Sequence, residues 1–175
     1  MDVVSSNDDL SDYKVVVAPM LYLLQSGTAE NLQKFVKNGG QLLATYFTGY
    51  VDKDTLCYLG GFPGDGLAEL FGVISEEIDT LYPSDRNSLC FLDGKKWTVY
   101  DYAEILRVQD AQILASYGTD FYEGSAALTV KEWESDTHTG ENGRAYYIAA
   151  RVAPEEMGSL FETMLANAGI AVKDL

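Results

Sequence analysis

FVKNGGQLLATYFTGYVDKDTLCYLGGFPG, residues 35–64, holds the reading on which the fold turns. Lys37, Asn38, Gly39 and Gly40 give a basic last turn followed by residues that accept a left-handed backbone, the usual end of a helix. A strand is therefore expected from about Gln41. Leu42, Leu43, Ala44, Tyr46 and Phe47 form a nearly continuous apolar run without strict alternation, as a parallel strand covered on both faces requires. The next loop is unusual, because Tyr50, Tyr58, Leu59 and Phe62 stand among Gly49, Gly60, Gly61 and Gly64 where polar turn residues would be ordinary. Loops beyond the carboxyl ends of parallel strands are where α/β folds place their working surfaces, although aromatics folded back over a sheet would give the same pattern.

Working outward, KVVVAP, residues 14–19, predicts a buried strand whose ladder Pro19 ends. Tyr22, Leu23 and Leu24 form a second apolar cluster after a strand. Thr28 is read as an N-cap, with Glu30 in the first turn and Ala29, Leu32, Phe35 and Val36 on one helical face. Strand, helix and strand from Lys14 to Phe47 make a βαβ crossover, hence a parallel sheet. A short helix is expected over Gly66 to Phe71, after the loop. The second half reads as antiparallel additions: Leu89 to Leu92, Trp97 to Val108, Ile113 to Tyr117, Ala126 to Trp133 and Arg144 to Arg151, joined by turn-forming segments. Pro154, Glu155 and Glu156 open a last helix, whose Met157, Leu160, Phe161, Met164, Leu165 and Ala168 mark a core-facing side.

A chain of 175 residues that is 47% hydrophobic and 22% charged fits one globular domain. Its net charge of -15 argues against nucleic acid or an anionic membrane as a partner, since each needs a basic face. The acidic start MDVVSSNDDL lacks the apolar core of a secretory signal, no apolar run reaches membrane-spanning length, and a cytoplasmic protein is expected.

Chemistry-bearing patterns are sparse. Neither Cys57 nor Cys90 has the glycine frame of a nucleophile on a strand-to-helix turn, and both read as buried free thiols, with a disulfide between them as the lesser alternative. The single histidine, His138, falls in the polar turn Asp136 to Gly143. Glycoside hydrolysis needs two carboxyl groups about 5 to 9 Å apart, but with 27 acidic residues pairs such as Glu76 and Glu77 carry no information. One histidine and two distant thiols offer no metal site, and no phosphate-cradling glycine motif follows a strand. No catalytic residue, cofactor or metal is expected.

Residues 35–64, preceded by YKVVVAPMLYLL and followed by DFYEGSAALTV and GRAYYIAARV, resemble the middle domain of bacterial β-galactosidases of glycoside hydrolase family 42, in the family's order from about Asp2 to Gly169. The resemblance implies a glutamine-amidotransferase-like, flavodoxin-like α/β fold: a parallel sheet flanked by helices, with antiparallel strands in the second half. It implies a non-catalytic domain that mediates trimerisation, in a parent that hydrolyses terminal β-galactosides by a retaining mechanism. The family's acid/base glutamate follows an asparagine in the catalytic barrel, and this sequence contains no Asn-Glu dipeptide. The family domain begins one strand and one helix earlier. Asp2-Val3-Val4 would match its second strand, so residues 1–175 are expected to form a single, N-terminally shortened domain without the barrel or the C-terminal β domain. The gap would close by rearrangement of the N-terminal residues or by strand exchange between two copies.

On this reading the partners are other copies of the chain and the parent's barrel. The contact candidates are Tyr22, Leu23, Tyr46, Phe47, Tyr50, Tyr58, Leu59 and Phe62, which flank the expected carboxyl ends of the parallel strands. The alternative is a carbohydrate-binding module, in which some of the 12 tyrosines or the tryptophans Trp97 and Trp133 stack on sugar rings.

Overall fold

The computed structural model describes residues 1–54, 56, 58, 61–135 and 141–171. In chain order the elements are β1 (Val15–Ala18), β2 (Leu23–Leu24), α1 (Thr28–Lys37), β3 (Gln41–Thr45), β4 (Val51–Asp52), α2 (Leu67–Phe71), β5 (Val73–Thr80), β6 (Asn87–Phe91), β7 (Lys96–Val108), β8 (Gln112–Tyr117), β9 (Ala126–Trp133), β10 (Gly143–Ile148), β11 (Ala150–Val152), a short 3-10 helix (Pro154–Met157) and α3 (Gly158–Asn167). The predicted βαβ crossover is present: β1 pairs parallel with β3 across α1, and β10 pairs parallel with β3 on its other side. All five residues of β3 are buried. Leu42 and Ala44 enter one core cluster with Leu32, Phe35 and Val36 of α1 and Leu70 and Phe71 of α2, while Leu43 enters a second cluster with Leu160 and Met164 of α3. Each fully buried leucine or phenylalanine stabilises the fold by about 1.5–3 kcal/mol, which makes this doubly covered strand the anchor of the sheet.

From β10 the sheet turns antiparallel, running β9, β8, β6, β7 and β11, with β5 added on β7. One residue, Ala149, separates β10 from β11, so the antiparallel portion curls back onto the strand from which it started. The architecture is thus a mixed α/β sheet, parallel at one end and antiparallel through the rest.

Several local readings change. β1 is an edge strand and is not deeply buried; among the described residues it pairs only with β3, and Val17 is 42% exposed. The N-cap of α1 is Gly27, in the left-handed region, and the Thr28 hydroxyl instead donates to Asn7 Oδ1 and shares a hydrogen bond with the Ser6 hydroxyl. Asp2-Val3-Val4 forms no strand, and Val3 is fully exposed. The N-terminal residues do not rearrange onto the edge of β1; Asn31 of α1 holds the carbonyls of Ser6 and Asp8, and Leu10 packs into the α1 cluster. The span read as Arg144 to Arg151 breaks at Ala149, and the last helix opens with a 3-10 turn.

Candidate docking surface beyond the parallel strands

β1 and β3 end side by side, and the segments that leave them are tied together by backbone. Gly49 N–H donates to the Leu21 carbonyl at 2.8 Å, and the Tyr50 and Val51 N–H groups both donate to the Tyr22 carbonyl. β2 and β4 then pair as a small parallel sheet. The returning arm is held by Gly64 N–H on the Gly49 carbonyl at 2.9 Å and Ser75 N–H on the Phe62 carbonyl at 2.8 Å. Gly49 sits at φ 66°, and a Cβ there would lie 2.8 Å from the Gly64 nitrogen, so this crossing admits only glycine.

On this scaffold the aromatics form one connected cluster. Tyr50 is its hub, stacked on Tyr22 with centroids 5.4 Å apart, and touching Phe62 at 4.9 Å, Tyr58 at 5.1 Å and Phe47 at 6.3 Å. Phe47 extends it to Tyr46 and Tyr102. Six of the eight sequence-predicted residues therefore meet. Leu23 lies beside them in β2, half-buried, and Leu59 is outside the described residues, as are Cys57 and His138.

Burial separates two roles within the cluster. Tyr46 and Phe62 are buried, at 9% and 4% exposure, and form the base. Tyr58 at 54% and Tyr22 at 42% present ring surface to solvent, together with Met20 and Leu56. Tyr102, Met20 and Leu56 were missed in the sequence: Tyr102 comes from β7, far away in the chain, and the other two lie within or beside apolar stretches, VVVAPMLYLL and LCYL, where residue type does not tell an exposed side chain from a buried one.

Beneath the base lies a buried carboxyl. Glu104 of β7 is fully buried; its Oε1 accepts the Phe47 N–H at 2.6 Å and its Oε2 accepts the Tyr147 hydroxyl at 2.8 Å. Desolvation pushes its pKa up to about 7, and the bonds from Phe47 and Tyr147 restrain the rise. The Ser75 hydroxyl acts on it in the same sense without meeting hydrogen-bond geometry. Burial likewise raises the Tyr147 and Tyr117 phenols well above their ordinary range. The acid was legible only as one carboxylate in the otherwise apolar run Ala103 to Leu106.

Phe47 itself takes φ 62° at the strand exit. A sharp left-handed turn of this kind is where nucleophile-elbow enzymes place a serine or cysteine. Here the position holds a phenyl ring, which can pack but cannot attack. Cys90 is a half-buried free thiol beside Ser88. Among the described residues no group of three His, Cys, Asp or Glu side chains is arranged to hold a metal, and no helix is long and apolar enough to cross a membrane. Neither tryptophan is available as a sugar platform. Trp97 is 2% exposed, and Trp133 is half-buried, with Lys131 and Lys37 over its ring and its Nε1 on the Leu70 carbonyl.

Comparison with known proteins gives the same placement. The family described as beta-galactosidase trimerisation domain matches residues 1–171. Beta-galactosidase BglY of Alicyclobacillus acidocaldarius is 40% identical over 98% of this chain and 25% of its own length, and beta-galactosidase Pbg of Clostridium perfringens is 41% identical over 93% and 23%. Among solved structures, the GH42 beta-galactosidase Gan42B superimposes with a TM-score of 0.86 at 36% identity, covering 97% of this chain and 23% of that one. The cold-adapted beta-galactosidase from Rahnella sp. R3 gives 0.87 at 34% identity, with 97% and 25% covered. The chain thus spans about a quarter of the length of the relatives it matches.

Proposed function

Since the chain belongs to the beta-galactosidase trimerisation-domain family, we propose that it joins copies of itself through the aromatic surface beyond β1 and β3. The observation that carries this reading is the exposed pair Tyr22 and Tyr58, both packed on Tyr50 with Tyr58 also on buried Phe62, while Met20 and Leu56 are likewise exposed. Exposed tyrosines on a fixed support bury large areas at little entropic cost, which is the make-up of an interface centre. Phe47, Tyr50 and Leu23 flank that centre, and Tyr46 and Phe62 support it. The partner is a second and third copy in a closed ring. In a longer parent the ring would hold catalytic barrels that hydrolyse terminal β-galactosides, chemistry this chain does not itself perform. Replacing Tyr22 and Tyr58 together by alanine is expected to abolish association measured by light scattering while leaving the circular dichroism spectrum intact; unchanged association would contradict the reading.

We read the β1–α1–β3 unit and the left-handed exit at Phe47 as a glutamine-amidotransferase-like, flavodoxin-like core whose catalytic turn has become a packing turn. We further read residues 1–175 as a single domain whose sheet ends at an open edge. Its support is the outer edge of β1, which has no ladder partner among the described residues. Gln41 N–H bonds the Lys14 carbonyl, so by the alternation of a parallel ladder the Val15 and Val17 backbone groups face outward. Val15 to Ala18 carry no charge, proline or bulge to guard that edge, so antiparallel pairing with a second copy is the rival mode of association to the aromatic surface.

A further inference from the structure

Glu104 is the one fully buried carboxyl among the described residues, and no cation offsets it. Ion pairs formed by the other acids in the structure lie at the surface. Burying a carboxyl costs several kcal/mol unless its hydrogen bonds repay the desolvation, so its partners indicate what the position is for. Its two hydrogen bonds come from two elements, the exit turn of β3 through Phe47 N–H and β10 through the Tyr147 hydroxyl, and Ser75 of β5 lies nearby without bonding to it. The backbone of Glu104 is pinned as well, its N–H on the Ala149 carbonyl at 2.7 Å and its carbonyl on the Tyr117 hydroxyl at 3.0 Å.

The Phe47 turn is the piece that needs holding. A residue with a side chain at positive φ costs roughly 1–2 kcal/mol relative to right-handed backbone. That conformation aims the Phe47 ring at Tyr46, Tyr50 and Tyr102. The Thr48 hydroxyl on the Thr45 carbonyl and the Thr48 backbone against the Tyr147 hydroxyl also hold the turn, but Glu104 is the acceptor of the Phe47 N–H itself.

We infer that Glu104 is the positioning residue of the aromatic surface: its carboxyl latches the Phe47 turn to β10, and loss or gain of its proton tightens or loosens the surface through which copies associate. The inference rests on the proposed docking role. The charge-assisted bond from Phe47 N–H is stronger than the same bond to a neutral acid, so the ionised form holds the turn more firmly. The groups that face the carboxyl are Tyr147 from β10, Tyr117 from β8, Ser75 from β5 and Tyr46 from the exit of β3, and Phe71 of α2 covers Tyr147 without bringing charge. Asp79 of β5 acts on Tyr117, and the Arg151–Asp101 pair acts on Tyr46. Burial raises the Tyr46, Tyr117 and Tyr147 phenols, so Glu104, at about 7, is nearer neutrality than the tyrosines that face it.

The test combines the chain with its Glu104→Gln variant, whose amide keeps an acceptor for Phe47 and a donor for Tyr147 but carries no charge. In wild type the Phe47 amide resonance is expected to move with a midpoint near pH 7, and in Glu104→Gln it is expected to stay flat. Self-association by analytical ultracentrifugation is expected to be several-fold tighter in wild type than in Glu104→Gln at high pH and equal to it at low pH. A flat Phe47 resonance in wild type overturns the latch. A titrating resonance with no difference in association at either pH overturns the coupling. If Tyr22→Ala with Tyr58→Ala also leaves association unchanged while the Phe47 resonance titrates, the docking reading fails and the latch to β10 stands.

Discussion

At the scale of single residues, the cluster divides side chains that make a surface from side chains that hold it up. Tyr58 and Tyr22 belong to the first kind, and truncating either is expected to leave thermal stability nearly unchanged, since each is largely exposed. Phe62 belongs to the second. Phe62→Ala is expected to cost about 3–5 kcal/mol in a denaturant titration and to disorder the loop before it says anything about partners. Glu104→Ala leaves the Phe47 N–H and the Tyr147 hydroxyl without an acceptor, at about 1–3 kcal/mol for each buried group. The pH dependence of Glu104 has a definite sign. Its folded value of about 7 stands above the ordinary 4.5, so the native state holds this proton more tightly than the unfolded chain does. Its contribution to stability is fully present below about pH 4.5 and is lost as pH rises through 7. Melting temperatures of wild type should therefore fall more between pH 5 and pH 8 than those of Glu104→Gln. A stronger latch at high pH is thus obtained at the expense of global stability.

At the scale of elements, the first half of the chain was legible because its signals are local. The basic turn and paired glycines after α1, the unbroken apolar run of β3, and the aromatics of the next loop each name their own structure. β1 was misread for an instructive reason: KVVVAP has the composition of a central strand, and only its neighbours decide whether it lies at an edge. The break at Ala149 was hidden for a similar cause, since a strand that passes from one part of a curled sheet to another has no mark in its own side chains. Tyr102 and Glu104 reach the site from β7 through long-range pairing, which the alternation of a single strand does not report. Gly49 offers the sharpest element-level prediction. Gly49→Ala places a Cβ 2.8 Å from the Gly64 nitrogen at φ 66°, and hydrogen exchange is expected to show the Gly64 and Tyr50 amides losing protection while β8 and β9 keep theirs. The open edge of β1 gives another: Val17→Pro removes an outward N–H that β3 does not use, so it should prevent edge pairing between copies without unfolding the sheet.

For the whole molecule, the balance is between a strongly acidic body and an apolar cap. A net charge of -15 repels like copies at long range, and the aromatic surface must overcome that repulsion at contact. Association is accordingly expected to strengthen as salt is raised, opposite to an assembly held by ion pairs. The family described as beta-galactosidase trimerisation domain includes this chain, and at the strand exit the left-handed residue is Phe47, whose ring packs with its aromatic neighbours. Sedimentation equilibrium of the chain across a wide concentration range, at moderate salt and pH 8, tests this most directly. A reversible trimer is expected, dissociating to monomer when Tyr22 and Tyr58 are both alanine. A chain that stays monomeric at every concentration, or a dimer that the tyrosine changes leave intact and Val17→Pro dissolves, would contradict it.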